Sequence, residues 1–160
     1  MVWLLVLGQV SASTVYYGPG YVFRVEIPEG WVAEEKPTPP KLAVLAKAGS
    51  LAKLSVERIA RDPKEKKAPL VLVMDELKRV TPNVRVSRPV VFKSLTDAEM
   101  LVLEVWSGEE PRVRIAGYQT AKQAIIFRLE APSVESYRSG TSAFLSLINS
   151  FGMVTEKKKG

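Results

Sequence analysis

The chain is predicted to fold as an α+β domain in which a single antiparallel β-sheet is flanked by helices. Three features predict it. Short runs with an apolar side chain at every second position recur along the sequence, which is the period of half-buried strands. Two stretches, 69–81 and 133–151, instead repeat at helical spacing. Turns rich in glycine and proline separate the strand-like runs, so neighbours join as hairpins, and hairpins pair antiparallel.

The clearest strand ends at a corner. Phe23, Val25 and Ile27 point one way and Arg24 and Glu26 the other, until Pro28 withholds a ladder donor. Gly30 then permits a turn that returns Trp31 to the core. A short strand starting at Trp31 breaks at Pro37-Thr38-Pro39-Pro40, an extended connector. Residues 42–48 and 51–59 read as a hairpin about Gly49-Ser50, followed by a charged loop over 61–68.

Pro69 suits the first turn of a helix, and Leu70, Val73, Met74, Leu77 and Val80 form its apolar stripe until Pro82 stops it. Four further strands follow. Residues 84–92 are interrupted at Pro89, which marks an edge or a bulge. Residues 100–106 place Leu101, Leu103 and Val105 on one face, and 113–118 and 124–130 pair across Thr120-Ala121-Lys122. Ser133 is the expected N-cap of the last helix, with Glu135 in its first turn and Tyr137, Thr141, Phe144, Ile148 and Phe151 facing the sheet.

Composition narrows the chemistry. A chain of 160 residues with 46% hydrophobic content has enough apolar material for one real core. There is no cysteine and no histidine, which removes disulfides, thiolate ligands, and the commonest general base and metal ligand. The net charge of +6 gathers partly in Lys157-Lys158-Lys159 and in the loop around Lys64, Lys66 and Lys67, both expected to be solvated. No nucleic-acid-binding motif accompanies the basic balance, so no nucleic-acid partner is expected. Residues 1–12 combine an apolar run, Val2 to Leu7, with the small residues Ser11 and Ala12, and are expected to be a signal peptide or an N-terminal apolar segment. A secreted or periplasmic location follows as an expectation, although no basic residue precedes the run.

Candidate catalytic patterns are thin. Ser50 and Lys53 match the Ser-x-x-Lys spacing that lets a lysine activate a serine on a helix, but the tetrad falls in a hairpin turn and lacks its companion motifs. Asp97 with Glu99, and Glu109 with Glu110, have no ligand-rich loop around them, so no metal is expected. The remaining constellation is the polar side of the strands: Arg24, Glu26, Glu57, Glu104, Trp106, Arg114, Tyr118, Arg128 and Glu130. Arginine and large aromatics dominate binding hot spots, so Arg24, Glu104, Trp106, Arg114, Tyr118 and Arg128 are the expected partner-binding residues. The competing reading is a salt-bridged sheet face, in which each cross-strand pair contributes about 0.2 to 1 kcal/mol.

The corner Phe23-x-Val25-x-Ile27-Pro28-x-Gly30-Trp31, the later strand Ala124-Ile125-Ile126-Phe127-Arg128-Leu129 and the helix end Ser150-Phe151 together resemble the PsbP-like superfamily, the Mog/PsbP type of domain. The resemblance spans residues 20–152, leaving 1–12 as the leader and 153–160 as a basic tail. It implies an α/β/α sandwich about an antiparallel sheet. It further implies a non-enzymatic role in binding or assembly, with a protein as the expected partner, while the basic clusters offer an acidic membrane surface or lipid as a further one. These motifs mark a strand end and a helix end, so they carry over no active site and no calcium, chloride or manganese function. A small-ligand or lipid-binding module, using the space between the sheet and the last helix, is the alternative.

Overall fold

The computed structural model describes residues 13–81 and 83–154, so the leader and most of the basic tail lie outside the described residues. Five strands come first: β1 (Ser13–Gly18), β2 (Tyr21–Glu26), β3 (Trp31–Ala33), β4 (Lys41–Lys47) and β5 (Lys53–Ala60). Helix α1 (Pro69–Val80) leads to β6 (Val84–Val86), β7 (Val90–Lys93), β8 (Glu99–Ser107), β9 (Glu110–Gln119) and β10 (Gln123–Glu130). Helix α2 (Val134–Ser150) and β11 (Gly152–Met153) follow. Met153, expected to open the tail, instead pairs with Phe23.

The expected single sheet is two sheets. Eight strands form the larger, in the order β3-β4-β5-β10-β9-β8-β6 with β7 also paired to β8, while β1, β2 and β11 form a smaller one. The corner after β2 separates them. Pro28 offers no ladder donor, and Gly30 sits at φ +79°, a conformation that favours glycine, so the chain leaves one sheet before Trp31 enters the other. Every pairing in both sheets is antiparallel, as the hairpin spacing predicts. The break at Pro89 also falls as expected, with β6 and β7 both pairing to β8 on either side of it.

Three layers result, and both faces of the large sheet carry core. On one face α2 and the small sheet enclose Phe23, Leu54, Met100, Ile125, Phe127, Leu129, Phe144 and Phe151. Phe151 is the hub, with ring centroids 5.6 Å from Phe23, 5.1 Å from Tyr118 and 5.2 Å from Phe127. On the other face α1 lays Leu70 and Val73 over Leu103, Val105, Ile115 and Ile126. Burying each such side chain contributes about 1.5 to 3 kcal/mol, and this double-sided burial explains why β10 reads as a nearly continuous apolar run.

The two helices are anchored differently. Ser133 caps α2 by accepting from the Ser136 N–H at 3.2 Å, and the Ser136 hydroxyl accepts in return from the Ser133 N–H, also at 3.2 Å. The buried face of α2 passes through Gly140 rather than the expected Thr141, because a Cβ at Gly140 would sit 2.7 Å from Leu129 Cδ1. Helix α1 starts at Pro69 and buries Pro69, Leu70 and Val73. Val80, expected on the buried stripe, is 64% exposed, because the last turn of α1 overhangs a hollow in place of resting on the sheet.

Candidate functional site

The hollow beneath the end of α1 belongs to a groove that crosses the sheet. Three depressions of about 420, 310 and 370 Å³ open side by side on this face. Val113, Ala131 and Pro132 are walls common to the first and second, Leu77 to the second and third, and Glu130 to the third and first. The walls come from β5, β10, β9, β8 and β6 in spatial order, so at about 4.8 Å per strand the groove runs for roughly 20 Å. It exists because α1, twelve residues long, covers only part of one face of the eight-stranded sheet.

The two ends of the groove differ in chemistry. One is mainly apolar, with Leu77, Val84, Val105 and Val113 continuing the core under α1 and Thr81, Ser107 and the Glu110-paired Arg112 along its rim. The other is charged. Arg128 lies between Glu57, at 3.5 Å, and Glu130, at 3.3 Å, with Glu76 on the facing turn of α1. The Arg128 and Glu57 side chains are only 15% and 8% exposed, whereas Glu130 is 51% exposed. Arg128 Nε is buried without a hydrogen-bond partner. Such a pair is held by local geometry: Arg128 is opposite Ser55 on β5, which puts Glu57 two residues along the same face.

The remaining expected residues are distributed elsewhere, and the idea of one polar sheet face does not hold. Register is the reason. Arg128 is opposite Ile115 and Arg114 opposite Leu129, so the two arginines project from opposite faces. Arg114, Glu104 and Tyr118 lie on the α2 side, where Arg114 donates to Glu104 and its guanidinium is 5.7 Å from the centroid of the Tyr137 ring. Tyr118 is part of the aromatic core against Phe151. Trp106 lies near the end of β8, opposite Arg85 on the edge strand β6, whose guanidinium is 5.0 Å from the Trp106 ring centroid. Arg24 and Glu26 are on the exposed side of the small sheet.

Two groups here titrate away from their ordinary values. Burial pushes the Tyr137 hydroxyl up, and the Arg114 charge beside it offsets that only in part. Burial works most strongly against the charge of Arg114, yet the hydrogen bond to Glu104 and the further interactions with Glu104 and Tyr137 together outweigh it and raise its pKa. Elsewhere, Ser50 accepts from the Ala52 N–H at 3.2 Å within a turn, while Lys53 reaches Glu34 at 3.8 Å, so the Ser-x-x-Lys pair is committed to local contacts. Among the described residues no group of three or more metal-ligating side chains converges, and no helix is long and apolar enough to cross a membrane.

Sequence reasoning found Glu57, Arg128 and Glu130 and missed the groove that holds them. Leu77 and Val80 carried a signal, since they extend an apolar stripe past the point where the sheet can cover it. Val113 and Pro132 carried none, because only the tertiary arrangement joins them.

Layer order, strand order and helix placement define a PsbP-like fold, here two helices packed with two antiparallel sheets. The chain is similar in structure to cyanobacterial PsbP (CyanoP) from Synechocystis sp. PCC 6803, solved in solution, with a TM-score of 0.58 over 92% of this chain and 95% of that one. Sequence identity over that likeness is 14%, so what it carries is the fold. No family model and no curated protein matches the sequence.

Proposed function

We propose that the protein is a non-enzymatic, exported binding domain that engages another protein by seating a segment of it across the groove under α1. The observation that carries this reading is the groove itself: roughly 20 Å of open concavity, mainly apolar at one end and holding the buried Arg128–Glu57 pair at the other. That length accommodates about six residues of extended chain at roughly 3.3 Å each. Apolar side chains fill one end while the Glu57–Arg128–Glu130 cluster fixes direction and register, since charged groups contribute specificity more than raw affinity. The exposed rims, Val80 at 64% and Leu51 at 72%, supply further apolar contact. The resemblance to the PsbP-like superfamily supports the same reading, because it implies binding of other proteins.

Photo-crosslinking side chains placed in the full chain at Val80 and Leu51, with Tyr17 and Val15 on the small sheet as remote controls, test it in cells. The expected result is one discrete adduct from both groove positions, absent from the controls and lost when Pro132→Trp fills the junction. Adducts from the control positions alone, or groove adducts indifferent to Pro132→Trp, overturn the reading.

A further inference from the structure

Basic segments that are remote in the sequence meet at one end of the fold. The loop 61–68 is pinned on both sides to the turn between β9 and β10: the Arg61 N–H donates to the Lys122 carbonyl at 2.9 Å, and the Leu70 N–H to Gln119 Oε1 at 3.2 Å. The β1–β2 turn is tied to the same place. The Arg58 guanidinium lies 4.5 Å from the centroid of the Tyr21 ring and donates to Gln123 Oε1 at 2.7 Å, while Gln123 Nε2 donates to the Gly20 carbonyl at 3.4 Å. The chain beyond α2 leads there too. β11 runs antiparallel to β2, with Met153 opposite Phe23, and the Val154 N–H donates to the Val22 carbonyl at 3.0 Å, so the chain is heading for the β1–β2 turn. Lys157, Lys158 and Lys159 follow in the sequence.

The cations gathered here are free. Arg61, Lys64, Lys66 and Lys122 are exposed, and among the described residues none of them forms an ion pair. The carboxylates of the loop are Asp62 and Glu65, and each accepts from a backbone N–H two residues on. Apolar groups stand beside the cations. Register sets Tyr17 opposite Val22 on one side and brings Val154 up on the other, with Tyr17 77% and Val154 43% exposed. Unpaired cations next to an exposed tyrosine and valine suit a bilayer surface, where anionic headgroups attract lysine and arginine and tyrosine rings rest at headgroup level. The four cations sit on turns and line none of the hollows of the groove, so this end has the charge for a surface without a pocket for a fitted segment.

We infer that this end of the protein docks on an anionic lipid bilayer. Arg61, Lys64, Lys66, Lys122 and the tail lysines meet the phosphate groups, and Tyr17 and Val154 rest among the headgroups.

Flotation of the full chain with phosphatidylcholine vesicles, with and without phosphatidylglycerol, tests this. Binding is expected only where phosphatidylglycerol is present, and it is lost at high salt. Each cation at an anionic surface strengthens partitioning about fivefold, so Lys64→Gln, Lys66→Gln and Lys122→Gln together weaken it roughly a hundredfold. Lys157→Gln, Lys158→Gln and Lys159→Gln together act in the same way and to a similar extent. The matched triple variant Lys47→Gln, Arg79→Gln and Arg138→Gln removes as much charge from exposed positions elsewhere and weakens binding less than about fivefold, because distant charges are screened. All three triple variants are expected to keep the wild-type melting temperature. Equal losses in the loop and matched variants, equal binding to neutral vesicles, or no binding to anionic ones would each overturn the inference. Saturable binding to polyglutamate without binding to anionic vesicles would also overturn it, and would assign this end to an acidic protein.

Discussion

Replacing Arg128 by methionine removes the cation of the groove and leaves its packing volume nearly intact. Two contacts are lost, and they are unequal. Glu130 is half exposed, so its pair with Arg128 contributes no more than about 1 kcal/mol. Glu57 is 8% exposed and keeps no cation in the variant, and stranding a buried carboxylate costs about 3 to 5 kcal/mol. Arg128→Met is therefore expected to lose about 3 to 6 kcal/mol at neutral pH. In a domain of this size that lowers the melting temperature by about 10 °C, at roughly 2 to 4 °C per kcal/mol. Adding Glu57→Met removes the stranded charge and is expected to restore most of the loss, because an apolar pair of similar volume replaces a buried ion pair at little cost. Urea denaturation of the wild type, both single variants and the double variant gives the coupling directly. A loss below 1 kcal/mol in Arg128→Met would refute the reasoning, since Glu57 would then be hydrated and the charged end of the groove open water.

Gly140→Ala, a change that gains about 1 kcal/mol in an ordinary helix, is expected to destabilise this one by about 1 to 3 kcal/mol. The new Cβ would lie 2.7 Å from Leu129 Cδ1 and 3.2 Å from Ala52 Cβ, and denaturant melts decide the sign. Tyr137→Phe is expected to flatten the alkaline limb of stability. The folded hydroxyl titrates above its ordinary value of about 10, so the unfolded chain releases this proton first. That contribution is present below pH 10 and lost as pH rises through the folded value, and thermal melts from pH 8 to 11 measure it. Asp75→Asn acts at the other extreme. Lys67 donates to Asp75 at 2.7 Å and lowers its pKa, so the stabilisation present above about pH 4 and lost below it disappears from the acid limb of the variant.

Much of the fold was legible because the local signals agreed with tertiary need. The Pro28 to Trp31 corner, Pro69 at the start of α1, the Ser133 cap and the break at Pro89 each follow from backbone chemistry that operates within a few residues. What escaped was decided at a distance. β11 is two residues long and exists only because Gly152 and Met153 meet β2, while Ser94 and Thr96 hold the Phe151 carbonyl that precedes them. β1 alternates, but its outward residues include Val15 and Tyr17, 46% and 77% exposed, so its apolar pattern does not separate inside from outside. Register across the β9–β10 turn placed Arg114 and Arg128 on opposite faces, and that parity depends on the turn's pairing rather than on either strand's own alternation. The expected polar face was therefore assembled from residues that belong to two different layers, and the groove under α1 could not be seen until those layers were stacked.

The central claim is that the groove under α1 is where a protein partner binds. The affinity of the cross-linked partner, once purified, for the Pro132→Trp variant tests it most directly, with Tyr17→Ala as the matched surface change on the far sheet. The account predicts at least tenfold weaker binding by Pro132→Trp at an unchanged melting temperature, and wild-type binding by Tyr17→Ala. Wild-type affinity in Pro132→Trp, with loss in Tyr17→Ala, would contradict it and move the interface to the small sheet.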